Sequence, residues 1–480
     1  MESQKLSGKS KLSYALGAVG KDMVYMLSAS YVLYYFQDLM GVEAWIMGVI
    51  LLIARVFDAF NDPIMGVIVA KTKTRWGKFR PWLMIGTVTN AVVLYFMFAA
   101  PPTMDAKGLV AYAAIFYILW GITYTMMDIP YWSMIPAFTE GGKERENLTT
   151  LARTSAGVGS AIVTIVTMKL VPALGKMFAA DGAGAKMVEI VGFKWFALGV
   201  GVLFIVFIGL TCLNIKEKST AEMKTASIGQ MFKALIQNDQ AMTVTVAIVL
   251  INCAVYITSN LVIYFFKYDF GTTEWNNSYV LFNMFGGAIQ VASMMILYPL
   301  LRKKFSSLQI FYICIGMAVA GYAVLLGLAF INMSNVFLLF IPGFFIFAAN
   351  GMLTVITTVF LANTVDYGEL KNNRRDESVI FSMQTFVVKL ASGIAALAAS
   401  ICLSINHLQS GTEVSEADAA VDWSVNVAAS AKTGLRMTMT VIPIIGLIIA
   451  FFWFKKKFIL TDSKVEEIAQ EVKRLHARER

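Results

Sequence analysis

Twelve apolar runs, each long enough to cross a bilayer core and separated by short charged loops, constrain this 480-residue chain more than any other feature. A hydrocarbon core about 30 Å thick takes about 20 apolar residues as a helix. The runs lie near 13–37, 45–70, 81–101, 109–138, 150–175 and 191–213, and again near 242–267, 278–300, 308–331, 334–363, 378–404 and 433–454. Only 15% of residues are charged against 58% hydrophobic, whereas a soluble domain carries about a quarter charged residues. A soluble globular fold is therefore excluded, and the alternation of a β-barrel is absent. The expectation is an all-α membrane protein of twelve transmembrane helices.

Loop charge sets the topology. Lys71, Lys73, Arg75, Lys78 and Arg80, then Lys143 and Arg145, Lys216 and Lys218, Arg302 to Lys304, and Lys371, Arg374 and Arg375 all fall on one side, while Met40 to Ala44 and Asn332 to Asn335 on the other are poor in Lys and Arg. Cytoplasmic loops carry the basic excess, so both termini are expected in the cytoplasm of a multi-pass protein of the plasma (inner) membrane. The net charge of +9 is such a topology signal and does not point to nucleic acid. Met1 to Lys11 lacks a cleavable signal, so the first apolar run is expected to stay as a helix.

The basic stretch Thr74 to Arg80 has a counterpart in Arg302 to Lys304, and this weak symmetry divides the chain. The expected organisation is an N-terminal six-helix half at 1–213, a cytoplasmic middle loop at 214–241, a C-terminal half at 242–457 and a cytoplasmic tail helix at 458–480. Two halves around a cavity are the usual transporter design. In the tail, Asp462 or Ser463 can cap a helix whose Val465, Ile468, Val472 and Leu475 share a face. The stretch from Asn406 to Lys432, with Glu413, Glu416, Asp418 and Asp422, reads as a solvated outer loop.

Enzyme chemistry finds no foothold. Cys212, Cys253, Cys314 and Cys402 lie inside apolar runs without paired spacing, His407 and His476 are the two histidines, and no full Gly-x-x-x-x-Gly-Lys-Ser/Thr phosphate loop exists. No cofactor is expected, and the chain is expected to work as a monomer in the lipid bilayer.

The informative residues are charges placed inside the runs: Lys21, Asp22, Arg55, Asp58, Asp62, Asp128, Arg153 and Lys389. Each costs roughly 2.5 to 3.5 kcal/mol at mid-helix, on the order of 20 kcal/mol together, unless paired or hydrated. They must face one another or water. Structural ion pairs between helices are one reading. A solute cavity is the other, and it is favoured because seven of the eight lie in the first half while Lys389 reaches in from the second.

On the second helix, Asp58, Asn61 and Asp62 share one face at i, i+3 and i+4. With Thr125 on the fourth helix, they offer hard oxygen donors suited to a small cation such as sodium; the plainer reading is an Arg55–Asp58 pair beside a kink at Asp62-Pro63. On the fourth helix, Tyr124, Asp128 and Trp132 are spaced by four. A carboxylate between aromatics suits a sugar, since the carboxylate accepts hydroxyl hydrogen bonds and an indole face packs on the C–H face of a pyranose. Such a stripe can also be packing or an interfacial belt, but Lys21, Asp22 and Arg153 favour the binding reading.

At these residues the chain resembles the melibiose permease branch of the glycoside-pentoside-hexuronide cation symporters, within the major facilitator fold. The resemblance runs from Lys11 to Lys457 and is carried by GAVGKD at Gly17 to Asp22, ARVFDAFNDPIMG at Ala54 to Gly66, RWGKFRPW at Arg75 to Trp82, YTMMDIPYW at Tyr124 to Trp132, TVDYGE at Thr364 to Glu369 and QTFVVK at Gln384 to Lys389. It implies a cation site, for sodium or a proton, at Asp58, Asn61, Asp62 and Thr125. It implies sugar contacts at Lys21, Asp22, Tyr124, Asp128, Trp132 and Arg153, joined by Gln384, Thr385 and Lys389. Where the family pattern has a tryptophan in the tenth helix, this chain has Thr354, which removes an aromatic wall and leaves the family's galactoside preference open. The resulting expectation is cation-coupled uptake of a sugar or glycoside by alternating access. A lipid or lysolipid carrier on the same fold and a transporter-like sensor are the alternatives; the dense carboxylates oppose the first, and the second would need a signalling domain.

Overall fold

The computed structural model describes residues 6–139, 142–180, 182–217, 233, 235–270, 275–331, 335–372, 377–406, 408 and 423–478. Most of the middle loop, most of the outer loop at 406–432 with its acidic residues and His407, and the basic residues Arg374 and Arg375 lie outside them. The twelve runs become twelve long helices: α1 (Gly8–Tyr34), α2 (Ala44–Lys71), α3 (Arg80–Met97), α4 (Ala106–Phe138), α5 (Gly142–Phe178), α6 (Ala185–Asn214), α7 (Asp239–Tyr268), α8 (Trp275–Ala292, continued through a π-helical turn at Ser293–Leu297 into Tyr298–Arg302), α9 (Ser307–Ala329), α10 (Val336–Asn372), α11 (Glu377–Ile405) and α12 (Ala429–Lys457). The tail helix follows as α13 (Asp462–Arg478), with Ile468 and Val472 buried on its apolar face.

Eight of these helices are long and apolar enough to cross a membrane, and α5, bent by 55° between Thr167 and Lys169, makes a ninth. α1, carrying Lys21 and Asp22, is not among them. The charges that lower the hydropathy of α1, Lys21 and Asp22, belong to the candidate site.

The chain forms two compact units. The first comprises Met1–Asn238, Leu361–Phe386 and Val465–Arg480, and so holds α1 to α6, the C-terminal end of α10, the start of α11, and α13 from Val465. Inside it α1 packs on α5 and α6, α2 on α4, and α3 on α4 and α6. Close approach depends on missing side chains: a Cβ at Gly159 of α5 would strike the Val19 carbonyl of α1. The second unit, Asp239–Phe360 with Val387–Lys464, holds α7 to α9 and the rest of α10 to α12. There α12 packs on α7 and α9, and Arg436 of α12 grips Asp269 beyond α7 with two hydrogen bonds of 2.7 and 2.6 Å.

The RWGKFRPW stretch has a structural role that its charges alone do not reveal. The Glu217 carboxylate accepts the backbone N–H groups of Lys78, Phe79 and Arg80 at 2.6, 3.0 and 3.1 Å, satisfying donors at the start of α3. Gly77, at φ +109°, leaves the space that carboxylate fills; any Cβ there would strike it. Pro81 then opens α3, where its missing N–H costs nothing.

Candidate functional site

Lys21 of α1 is the hub of a buried polar cluster in the first unit. Its ammonium lies 2.9 Å from Asp22 Oδ2 and 2.9 Å from Asp128 Oδ1 of α4, and donates to the Tyr124 hydroxyl at 3.2 Å. The Trp132 indole N–H donates to the same Asp128 Oδ1 at 3.1 Å. The Arg153 guanidinium of α5 lies 3.7 Å over the Trp132 ring, and Lys21 approaches that ring to 5.1 Å. Tyr124, Asp128 and Trp132 recur every four residues, so one stripe of α4 meets α1 and α5 together.

Two cations and two carboxylates leave the cluster formally neutral, which is how so much charge can be buried. The ion-pair reading of the sequence is thus realised at Lys21. Each carboxylate keeps a second oxygen, Asp22 Oδ1 and Asp128 Oδ2, outside these contacts. Those oxygens can accept hydroxyl hydrogen bonds. The Arg153 guanidinium occupies a face of Trp132 on which a pyranose could pack, so a sugar stacking there would exchange with it.

A rigid clasp holds the α1–α4 seam beneath this cluster. Tyr14 and Tyr131 stack at 4.4 Å with their planes 7° apart, and each hydroxyl donates to the other residue's backbone carbonyl. Towards the other end, Tyr25, Trp120 and Tyr124 form ring contacts of 5.2 to 6.2 Å.

The second candidate set lies on the α2–α4 seam. Asp62 is fully buried and accepts from the Thr125 hydroxyl at 2.8 Å. Asp58 is also buried, its Oδ1 against Gly121 where a Cβ would collide. Asn61 is half-buried, with its amide nitrogen enclosed and unbonded among the described residues. The Arg55 side chain lies outside the described residues. Two carboxylates, a hydroxyl and a carboxamide thus lie along this seam, and oxygen donors of this kind suit a small hard cation.

The remaining expected residues are more dispersed. Gln384 is buried and Thr385 half-buried on α11, the latter donating to its own helix at Phe381; neither makes a hydrogen bond to the Lys21 cluster among the described residues. Lys389 lies half-buried in the second unit, as does Thr354, whose hydroxyl turns back to the Asn350 carbonyl at 2.9 Å.

Arg145 is the residue the sequence concealed. Read as a loop charge, it is 1% exposed and donates to Asp366 Oδ2 at 2.7 Å, to the Ala362 carbonyl at 3.1 Å and to Thr139 Oγ1 at 3.0 Å. Asn238 donates to the Thr364 carbonyl at 2.8 Å, and Lys78 lies 3.7 Å from Glu377. The TVDYGE stretch is thereby held within the first unit.

Comparison with known proteins agrees with this architecture. A lactose permease of Lactobacillus delbrueckii subsp. bulgaricus is 27% identical over 96% of this chain and 72% of its own length. An isoprimeverose transporter of Lactiplantibacillus pentosus is 26% identical over 98% of this chain and 92% of its own. The solved structure of a major facilitator superfamily proton:xylose symporter, bound to 6-bromo-6-deoxy-D-glucose, superposes with a TM-score of 0.63 at 14% identity, covering 96% of this chain and 98% of that one. The fold is therefore that of the major facilitators, twelve membrane helices in two six-helix halves, and these relatives are transporters rather than enzymes. The family model described as MFS/sugar transport protein matches residues 13–459, and this multi-pass membrane chain belongs to that family.

Proposed function

We propose that the chain carries a sugar or glycoside across the inner membrane together with sodium, by alternating access, as a monomer with both termini in the cytoplasm. The observation that carries this reading is the placement of adjacent α4 residues: Tyr124 meets Lys21 in the charged aromatic cluster, while Thr125 meets Asp62 in the oxygen-rich set. One turn of α4 is common to both. The sugar hydroxyls would bond to Asp22 and Asp128, and the ring would pack on Trp132. The names of the lactose and isoprimeverose relatives support a glycoside as the solute.

A cation at Asp58, Asn61, Asp62 and Thr125 would draw the Thr125 oxygen away from its bond to Asp62 and settle that turn of α4 beneath Tyr124. Sodium should then raise sugar affinity, and sugar should raise sodium affinity by the same factor, because linkage is reciprocal. Couplings of this kind are ordinarily about 1 to 3 kcal/mol, roughly 5- to 150-fold. The test is titration of the purified protein with lactose, raffinose and isoprimeverose at several sodium concentrations and fixed ionic strength, repeated across pH. Asn61→Ala should weaken the sodium response, and Asp58→Cys should abolish coupling while sparing some sugar binding. A response to pH but not to sodium assigns the coupling to protons. Sugar affinity indifferent to both defeats symport.

A further inference from the structure

The second unit encloses a cavity of about 140 Å³ between α7, α8, α9, α10 and α12 that the transport chemistry above does not use. Its two ends differ in character. At one end Gln290 of α8 and Asn350 of α10 stand on neighbouring helices, which approach closely because residue 351 is glycine; a Cβ there would strike the Gln290 carbonyl and the Ser293 hydroxyl. Ser259 and a Thr258–Tyr322 hydroxyl pair at 3.1 Å complete that end. At the other end Phe266, Phe282 and Phe347 form a chain of ring contacts at 5.6 and 5.4 Å. Phe347 precedes Asn350 by three residues on α10, about 5 Å along the helix, so aromatic and polar groups lie within reach of one small ring.

The side-chain amides of Gln290 and Asn350 and the Ser259 hydroxyl make no hydrogen bond among the described residues, whereas Thr258 donates to both Tyr322 and the Met439 carbonyl. Gln290 and Asn350 are half-buried, and their carboxamides offer donors and acceptors to an occupant of the cavity. Three residues beyond Gln290, α8 leaves α-helical geometry for the π-helical turn at Ser293–Leu297. Single π-helical turns within α-helices occur frequently at functional sites.

We propose that this cavity is a binding site for a phenol, its ring packed beside Phe282 and Phe347 and its hydroxyl held by Gln290 and Asn350. The volume is that of a cavity that accommodates a benzene ring, about 150 Å³. Water would satisfy the polar end but not fill the aromatic one, since apolar cavities of this size stay dry. The assignment concerns the second unit alone and does not depend on the transport reading.

The experiment is fluorine NMR of 4-fluorophenol titrated into the full-length protein in lipid nanodiscs, with empty nanodiscs measuring partition into lipid. A saturable, protein-dependent component is expected. Gln290→Leu/Asn350→Leu should weaken it at least tenfold, and Leu339→Trp, which fills the apolar end, should remove it; Leu339→Phe serves the same purpose with less crowding. Absence of a saturable component with the wild-type protein overturns the site, as does unaltered binding in the filling variants. Fluorobenzene binding as tightly as 4-fluorophenol overturns the role given to the carboxamides.

Discussion

Replacing Lys21 by methionine removes the hub of the buried cluster while keeping much of its volume. In the wild type the ammonium stands 2.9 Å from each of two carboxylates, and the Lys21 side chain is 5% exposed. At an effective dielectric of about 20, one such contact is worth about 6 kcal/mol of gross attraction, which the desolvation of both ions largely offsets. Removing one side of a buried pair nonetheless costs about 3 to 5 kcal/mol, because the stranded charge remains. Lys21→Met strands Asp22 and Asp128 together, so the upper part of that range is expected. Adding Asp22→Asn and Asp128→Asn to Lys21→Met should restore part of the lost stability, since the triple variant has no stranded carboxylate, while leaving sugar binding absent. Denaturant unfolding of the purified protein, followed by intrinsic fluorescence, gives the stabilities, and calorimetry gives the binding. A Lys21→Met protein as stable as wild type, or a triple variant no more stable than the single one, would refute the reasoning.

Asp128→Asn is expected to leave the protein folded, because Lys21 keeps Asp22, but to weaken sugar binding about 10- to 150-fold, the loss of a charged hydrogen bond of about 1.5 to 3 kcal/mol; calorimetry with lactose, raffinose and isoprimeverose measures it. Asp366→Asn strips the Arg145 guanidinium of its carboxylate at 1% exposure and should cost about 3 to 5 kcal/mol in unfolding experiments, with Arg145→Gln/Asp366→Asn less impaired than the single change. Single cysteines placed at Lys73 or Arg75, both exposed between α2 and α3, should resist impermeant maleimide added to intact cells; ready labelling would reverse the topology.

Legibility in the sequence followed the cost of error at each position. Lys21, Asp22, Asp58, Asp62, Asp128 and Arg153 stood out because a charge in an apolar run has no inexpensive explanation, and the four-residue spacing of Tyr124, Asp128 and Trp132 then fixed which of them share a face. Arg145 gave no such signal. It sits among Lys143, Glu144 and Glu146 at the start of α5, where charges are ordinary loop residues, and only tertiary packing onto Asp366 turns it inward. The Asp269–Arg436 pair escaped notice for a related reason: Asp269 lies just past the end of α7, where water is an available partner, and its burial to a side-chain exposure of 1% depends on a helix more than 150 residues away. The bend in α5 has no proline or glycine at Thr167 to announce it; the nearest proline, Pro172, lies beyond the break.

The two candidate sets share α4 but differ in the groups they bring together, and that difference bears on the order of binding. The Lys21 cluster is internally paired, so a sugar entering it must exchange bonds with Arg153 or Lys21 rather than simply add them, and its net affinity is the small difference between two similar sets of contacts. In the α2–α4 set Asp58 and Asp62 bring two buried carboxylates to one helix face. A cation there relieves repulsion between two buried carboxylates, so it should bind first. Sugar then binds to an α4 whose Thr125 turn is already settled, which predicts that sodium accelerates sugar association more than it slows dissociation. Stopped-flow fluorescence from Trp120 and Trp132, with lactose or raffinose mixed against protein held at low and at high sodium, separates the two rates. An unchanged association rate, with the whole effect of sodium in dissociation, would place the cation after the sugar instead.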